Sequence, residues 1–277
     1  MLNLLPTAKR PDAPMTRSQR RVWLALEEQR RRRLRHQSLT PALPVTLWTE
    51  LAGYWKLEEP ANSPRLDASG HGWDLQEWSF GEAYGGGHVA VGQTSGVLNN
   101  AADFGTGAGG PALVSFAPNT LLAGDFTFSI WFWFTPANYN SEFGLISVGS
   151  SVLIGIQQID FYATFGVQTT DGFAGTATAI YGLVDFAWNH LVCVKAGQTL
   201  RIYHNGGLSG EVAFTGNLVP TAAAEFFGPT DLVLGASTTG WTYQGSLDEF
   251  GCWQRALSVA EVAQLYNYGS GLPLENF

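Results

Sequence analysis

Short segments in which apolar and polar residues alternate occur throughout the chain from about residue 50 onward. In residues 126–132, Phe and Ile at every second position are separated by Thr, Ser and Trp, which is the period of a β-strand with one buried face. Residues 199–206 alternate in the same way and end in Asn205-Gly206, a pair that readily adopts the positive φ angles of a type I′ hairpin turn. Many short strands with turn residues between them predict an all-β sandwich or jelly roll.

One short helix is predicted near the C-terminus. Ser258 is followed three residues later by Glu261, which is the spacing of a capping box at a helix N-terminus. Gly269 is the expected end of this helix, because glycine accepts the left-handed conformation that commonly follows the last turn.

A different pattern precedes the strands. From about residue 17 to 37 strong helix formers dominate, chiefly Arg, Gln, Leu, Ala and Glu, and Thr16 is placed to cap them. Pro41 and Pro44 then end this helix and begin a short stiff linker. We therefore divide the chain into an N-terminal arm, residues 1–46, and a body, residues 47–277.

Charge separates the arm from the body. Residues 1–36 contain ten Lys or Arg and three acidic residues, which gives a charge of +7. The whole chain carries −8 at pH 7, so the remaining residues carry −15. The modest net charge thus hides a basic arm attached to an acidic body.

Five arginines lie near the end of the arm's predicted helix: Arg30, Arg31, Arg32, Arg33 and Arg35. Such a cluster fits nucleic-acid phosphates, an anionic membrane or an acidic protein surface, and a solvated tail without a partner is the alternative. The apolar stripe of the helix is thin, so the arm alone cannot bury Trp23, which we expect to pack on another surface. We therefore favour an anchor on another protein or on sister subunits over nucleic acid and membrane.

Seven segments of the body, in order, resemble the strand signatures of laminin-G-like (concanavalin-A-like) jelly-roll domains. They are residues 53–57, 66–72, 101–104, 125–132, 188–194 and 199–206, followed by a closing segment at 243–266. The resemblance implies an all-β, two-sheet antiparallel jelly-roll sandwich with one short C-terminal helix, here preceded by a helical arm. Domains of this family bind glycans or proteins more often than they catalyse.

The same resemblance implies a structural calcium ion held by Asp67 and Asp248. Two carboxylates do not complete a calcium site, which needs six to eight oxygens, so backbone carbonyls would have to contribute. The alternatives are an Asx-type turn for Asp67, which precedes Ser69-Gly70, and a hydrogen bond that closes the first and last strands for Asp248. The cofactor prediction is limited to one structural Ca²⁺.

No catalytic residues are predicted. Asp248 and Glu249 are adjacent, so a regular strand would place them on opposite faces, and no second carboxylate follows either of them at i+2 or i+4. Hydrolysis of glycosides requires paired carboxylates about 5 Å or roughly 6.5–9.5 Å apart. The five histidines show no metal-ligand spacing. We therefore expect a binding protein rather than an enzyme.

Aromatic residues in predicted loops favour sugar binding, because their rings stack on sugar faces. Trp241 and Tyr243 are two residues apart and would share one face of a strand, while Tyr139 and Asn140 lie in another loop. The competing interpretation is that most of the 10 tryptophans are in the core. We expect this of four that lie in predicted strands: Trp55, Trp131, Trp133 and Trp188.

The cysteines and the N-terminal residues give weaker indications of the cellular compartment. Cys193 and Cys252 lie in apolar, strand-like segments, which favours buried free thiols over a disulfide and indicates a reducing compartment. The N-terminal residues form no secretory pattern, and no apolar run reaches the roughly 20 residues that cross a bilayer.

A lone jelly roll on a basic arm, made in the host cytoplasm, suits a virion component such as a phage decoration, fibre or tail protein. The alternative is a free bacterial carbohydrate-binding module or a glycan-processing enzyme.

Overall fold

The described residues of the protein all belong to the body. The structure is a computed structural model that describes residues 47–83, 86–105, 110–115, 121–134, 142–157, 162–175, 183, 186–219, 231–236 and 242–277. The N-terminal arm lies outside the described residues, and so do its predicted helix, Trp23 and the five arginines.

Fifteen strands and two helices make up the regular structure of the described residues. The strands are β1 (Leu51–Trp55), β2 (Gln76–Ser79), β3 (Gly92–Ser95), β4 (Asn100–Asp103), β5 (Pro111–Ser115), β6 (Phe126–Phe134), β7 (Glu142–Val148), β8 (Val152–Gln157), β9 (Tyr162–Thr169), β10 (Gly172–Gly175), β11 (Trp188–Ala196), β12 (Thr199–His204), β13 (Gly207–Ala213), β14 (Leu232–Leu234) and β15 (Gly245–Trp253). The helices are α1 (Phe80–Ala83) and α2 (Val259–Tyr266), and 3₁₀ turns follow at Asn267–Gly269 and Leu274–Asn276.

The strands form two antiparallel sheets. One sheet has eight strands in the order β13-β12-β11-β6-β15-β4-β3, with β1 also paired to β15. The other sheet has seven strands in the order β10-β9-β8-β7-β14-β5-β2. Buried side chains from both sheets form one hydrophobic core between them. The predicted two-sheet jelly-roll sandwich is confirmed.

The alternation in β6 shows how the sequence builds this core. Phe126, Phe128, Ile130 and Phe132 belong to the core between the sheets and are at most 1% exposed. The residues between them therefore lie on the opposite, outer face of the eight-stranded sheet. Full burial of each large apolar side chain contributes about 1.5–3 kcal/mol, so this strand is one of the main contributors to stability.

The outer face of the eight-stranded sheet is covered by α2 and the C-terminal segment. Val262, Leu265 and Phe277 pack with Tyr54 and Val192 of the sheet in a second buried cluster. The body is thus a sandwich with a partial third layer on one side.

The boundaries of α2 follow from its caps. Ser258 Oγ accepts a hydrogen bond from the Glu261 N–H, and the Glu261 carboxylate accepts one from the Ser258 N–H, which confirms the predicted capping box. The predicted end at Gly269 is wrong, because Asn267 adopts the left-handed conformation, with φ 44°, and caps the last turn. Asparagine tolerates this conformation better than most residues, and Gly269 lies in the 3₁₀ turn that follows.

The turn between β12 and β13 has the predicted conformation. Asn205 and Gly206 both adopt positive φ angles, 49° and 80°, and they join the two strands as a two-residue hairpin turn. The hairpin therefore ends where the sequence places its Asn-Gly signal.

Both cysteines are buried and free, as predicted. Burial raises the pKa of the Cys193 and Cys252 thiols, which keeps them protonated and unreactive. In the part of the chain that the structure describes, no helix is long and apolar enough to cross a bilayer.

Candidate functional site

Tyr243 is not at the surface. Its side chain is 1% exposed, packs near Phe104 in the core, and donates a hydrogen bond from its hydroxyl to the Trp133 carbonyl at 2.6 Å. The prediction of a stacking platform at Tyr243 is therefore wrong, because a backbone acceptor inside the sandwich satisfies the hydroxyl and lets the ring be buried. The other predicted glycan-binding residues lie outside the described residues: Trp241, Tyr139 and Asn140.

Two tryptophans that were expected in the core lie on the outer face instead. Trp133 of β6 and Trp188 of β11 are half-buried cross-strand partners. Their rings meet edge to face, with centroids 5.9 Å apart and an interplanar angle of 69°. Trp131 also lies on the outer face, where it is buried under the Tyr266 ring, and of the four only Trp55 is buried in the core between the sheets as predicted.

Trp133 and Trp188 belong to a row of outward residues across the eight-stranded sheet. The row crosses β11, β6, β15, β4 and β3 in register: Trp188, Trp133, Ser246, Asp103 and Gly92. The neighbouring residues on three of these strands are buried in the core, which fixes the outward direction of the row: Phe132, Leu247 and Ala102. We call these five outward residues the tryptophan row.

Ser246 is at the centre of the tryptophan row and is 7% exposed. Ser246 carries a small side chain and lies between Trp133 and Asp103. The backbones of Trp133 and Asp103 are two strand spacings apart, which is about 10 Å. A ligand that spans the half-buried ends of the row would therefore meet aromatic side chains at one end and a carboxylate at the other.

The carboxylate of Asp103 is held in place and retains acceptor capacity. Its Oδ1 accepts a hydrogen bond from the Gly105 N–H at 2.9 Å. Among the described residues, no Lys, Arg or His forms an ion pair with it. Its negative charge adds to burial in raising the pKa of the Tyr243 phenol. An ionised carboxylate accepts several hydrogen bonds, so Asp103 can accept more from a ligand.

The C-terminal cover of the sheet ends beside the tryptophan row. In the adjacent row, Tyr266 at the end of α2 stacks on Trp131 and His190, with ring centroids 5.7 and 6.0 Å apart. Gly206 lies against the same Tyr266 ring, where an added Cβ would come within 2.8 Å. The tryptophan row is thus next to the covered part of the outer face, and Trp133, Trp188 and Asp103 remain half-buried.

Asp248 and Glu249 lie on the same side of the sheet, so the predicted placement on opposite faces is wrong. The register of β15 shifts between Asp248 and Gly251, and Glu249 adopts φ 48°, so a β-bulge interrupts the alternation. Asp248 lies opposite Trp131 on the outer face. Glu249 accepts a hydrogen bond from the hydroxyl of Tyr54, which packs in the outer cluster.

Burial determines the electrostatics of this acidic pair. Burial and the charge of Glu249 raise the pKa of Asp248 to about 8, and burial raises the pKa of Glu249 to about 7. Asp248 Oδ2 accepts hydrogen bonds from the N–H groups of Val97 and Leu98 at 2.7 and 3.2 Å. Asp248 therefore ties the β3–β4 connection to β15, and the carboxylates, 0% and 5% exposed, are closed to a substrate.

Asp67 organises its own loop. Its Oδ1 accepts hydrogen bonds from Tyr54 N–H, Ser69 N–H and Ser69 Oγ at 3.1, 2.9 and 2.6 Å, and its Oδ2 accepts one from Trp73 N–H at 3.1 Å. These partners are all donors, as in the Asx-type turn, and they do not fit a cation ligand. No group of three or more His, Cys, Asp or Glu among the described residues is arranged to hold a metal ion. Calcium at Asp67 and Asp248 stays a prediction from the resemblance.

A buried Ser–His contact lies under the Tyr266 stack. Ser129 Oγ is 2.8 Å from His190 Nε2, and both residues are at most 3% exposed. Burial, together with the nearby His204, lowers the pKa of His190 to about 3, so its imidazole is neutral. The contact holds the His190 ring that stacks with Trp131 and Tyr266, and its burial closes it to a substrate.

Sequence reasoning looked for the ligand platform in loops and missed the tryptophan row. A signal was present in β6, whose polar-looking face also carries Trp131 and Trp133. The neighbours Ser246 and Asp103 could not be found in this way, because their contact with Trp133 depends on the order of strands in the sheet.

Family comparison agrees with the fold. The model of the concanavalin A-like lectin/glucanases superfamily matches residues 108–263, which is more than half of the 277 residues. The chain belongs to this superfamily, and the resemblance of its strand signatures is confirmed. No curated protein matches the sequence.

Solved structures with this fold include toxin binding domains and a sugar-bound domain. The binding domain of Paraclostridial Mosquitocidal Protein 1 is 15% identical, with a TM-score of 0.59 over 79% of this chain and 52% of that one. The botulinum neurotoxin serotype D binding domain is 13% identical, with a TM-score of 0.57 over 78% and 51%. Domain 4 of AbnA, an extracellular GH43 arabinanase from Geobacillus stearothermophilus solved with arabinotriose, is 15% identical, with a TM-score of 0.57 over 78% and 97%. This chain therefore spans about half of each toxin binding domain, and the likeness shows the fold alone.

Proposed function

We propose that the body is a non-catalytic glycan-binding domain whose ligand lies on the tryptophan row. The observation that carries this proposal is the half-buried Trp133–Trp188 pair beside Ser246 and the carboxylate of Asp103. Aromatic side chains stack on sugar rings, and hydroxyl and carboxylate groups hydrogen-bond to sugar hydroxyls. The superfamily includes lectins, and the AbnA domain was solved with arabinotriose bound. Both observations support the same function.

The low exposure of the acidic pair supports a binding role without hydrolysis. A glycosidase needs a pair of accessible carboxyl groups, and Asp248 and Glu249 are the adjacent pair in this chain. Both are buried beneath the C-terminal cover and the β3–β4 connection. The solved structures that resemble the chain include binding domains. We expect no release of reducing ends from any glycan that the body binds.

A single tryptophan row would bind sugars weakly. A few stacked rings and hydrogen bonds yield about 4–5 kcal/mol net, which corresponds to a Kd in the high micromolar to millimolar range. Many copies of the body on one support would raise the apparent affinity by avidity. The binding assay therefore has to use a multivalent form of the body.

A glycan array probed with multivalent body tests the proposal. Trp188→Ala should weaken binding about tenfold or more, because it removes one face of the aromatic pair. Phe173→Ala is the matched control, since Phe173 is an exposed aromatic residue on β10 of the other sheet. Equal effects of the two substitutions would contradict the site, and no bound glycan at any valency would contradict the function.

We also propose that the arm anchors the body to a larger particle, as in a phage decoration, fibre or tail component. The charge of +7 on residues 1–36 against −15 on the rest supports an anchor on an acidic partner, and display in many copies would supply the avidity that a weak site needs. A free bacterial carbohydrate-binding module or glycan-processing enzyme is the alternative. Co-purification with particles or multimers supports the anchored form, whereas a monomer that joins no particle supports the alternative.

A further inference from the structure

All the cations of the body are already paired with carboxylates. Of the 15 Lys and Arg in the chain, ten lie within residues 1–36 and five lie in the body. The five ion pairs are Lys56–Glu275, Arg65–Glu77, Lys195–Asp125, Arg201–Glu211 and Arg255–Glu261. An acidic sugar on the body would therefore meet no Lys or Arg that lacks an acidic partner.

Asp103, in contrast to these paired charges, is a carboxylate without a cationic partner among the described residues. Its carboxylate belongs to the tryptophan row. Its Oδ1 is positioned by the Gly105 N–H at 2.9 Å, so the negative charge is held at one place beside Ser246. Asp103 and Trp133 are both half-buried, so a positive group bound at the row could reach the carboxylate while its sugar ring lies along the aromatic pair. The carboxylate attracts a cation by charge, and an aromatic ring within about 6 Å of the cation adds attraction through its π-system.

We infer that the tryptophan row selects glycans by charge, and that its preferred ligands are amino sugars with a free ammonium group. Neutral sugars bind with lower affinity than amino sugars, because only stacking and hydrogen bonds remain. Sugars that carry a carboxylate bind with the lowest affinity. The inference rests on the proposed glycan-binding function and names the ligand class of the same site.

Matched oligosaccharides provide the test. The probes are tetramers of β-1,4-linked glucosamine, glucose and glucuronate, which are the amino, neutral and carboxylate forms of one backbone. The same three forms are made on galactose and mannose backbones. All affinities are measured at about pH 6 and low salt. We expect the amino form to bind about threefold to tenfold tighter than the neutral form of the same backbone, and the carboxylate form to bind more weakly than both. The difference between the amino and neutral forms should shrink at high salt.

Two substitutions separate the site from the general charge of the body. Asp103→Asn removes the charge with little change of shape, and it should reduce the ratio of amino to neutral affinity to about one. Asp171→Asn is the control, because Asp171 is exposed in the turn between β9 and β10 of the other sheet and its loss changes the net charge equally. This variant should retain the preference for amino sugars.

The outcomes distinguish the inference from the proposed function. Neutral sugars that bind as tightly as amino sugars would overturn the inference and leave glycan binding in place. A preference that persists in Asp103→Asn would also overturn it, since the attraction would then come from the acidic surface as a whole. No binding of any backbone in any charge form would remove the proposed function together with the inference.

Discussion

The buried carboxyl groups of Asp248 and Glu249 link the stability of the body to pH. Their pKa values are raised to about 8 and about 7, so the folded chain keeps these protons at a pH where the unfolded chain has released them. Such groups stabilise the fold most at low pH, below their unfolded pKa near 4, and this contribution is lost as the pH rises through the folded values.

We therefore expect the free energy of unfolding to fall between about pH 6.5 and pH 9, on the order of 2–4 kcal/mol for the pair. His190 and His204 contribute little in this range, because burial lowers their folded pKa values to about 3 and about 4 and the unfolded imidazoles are also mostly neutral above their ordinary pKa of about 6.5. Denaturant unfolding in chelator at several pH values measures the slope, and Asp248→Asn should make it shallower. A wild-type stability that is constant or rises over this range would contradict the assignment.

The same unfolding experiment examines the predicted calcium ion. A ligand that binds only the folded state at 100 times its Kd raises the free energy of unfolding by about 2.7 kcal/mol. Higher stability in calcium than in chelator, lost in Asp248→Asn, would support a structural ion. Equal stability in both would remove the site, in keeping with the four donors around Asp67.

Single positions differ in how well the sequence predicts them. The inward residues of β6 follow directly from the period of two, and Phe128 and Phe132 are buried as expected. Large aromatic residues are less certain, because either face of a strand can hold them. Tyr243 is buried because a carbonyl inside the sandwich accepts from its hydroxyl, and Trp133 is half-buried because Phe132 takes the inward position.

At the scale of elements, α2 depends on its N-terminal cap. Ser258 makes three hydrogen bonds with Glu261, which also pairs with Arg255 at 2.6 Å. Ser258→Ala should lower the free energy of unfolding by about 1 kcal/mol, since the N–H of the first turn loses its acceptor. Thermal or denaturant unfolding measures this effect. Val259→Ala, at an exposed position one residue later, is the control and should change stability much less. An unchanged stability in Ser258→Ala would show that packing alone sets the helix.

Elements with a local chemical signal were predictable, and irregularities were not. The β12–β13 hairpin is marked by Asn205-Gly206, and α2 is marked by its capping box. The bulge in β15 has no such mark, because Glu249 is an unusual residue for a φ of 48° and its neighbours look like a regular strand. That bulge places both buried carboxyl groups on one side, which sequence alternation alone could not show.

For the whole molecule, the boundary between arm and body is the feature to test first. Leu47 is fully buried against the outer cluster, and its carbonyl accepts a hydrogen bond from Trp253 Nε1 at 2.7 Å. Deletion of residues 1–44 keeps this contact, so the shortened chain should fold into a β-rich body with nearly unchanged stability. The proposed anchoring role predicts in addition that the shortened chain will not join a particle or multimer. Circular dichroism and sedimentation measure the two properties. An unfolded body, or assembly that continues without the arm, would contradict the division.

The tryptophan row exists only at the scale of the whole sheet. Its residues come from five strands that span positions 92 to 246 of the chain. Each strand was predictable in outline, but the neighbours of a residue depend on strand order and register. The resemblance to jelly-roll domains predicted the architecture, and the pairing of Trp133 with Trp188, Ser246 and Asp103 required the structure.

The most direct test of the account is where a bound sugar contacts the body. An NMR titration with the glycan that binds best on the array, following the indole N–H resonances of the tryptophans, reports this contact. We predict that the resonances of Trp133 and Trp188 shift with ligand, while those of the fully buried Trp55 and Trp253 stay in place. Saturable binding that leaves Trp133 and Trp188 unmoved and instead perturbs residues around Phe173 on the other sheet would contradict the account.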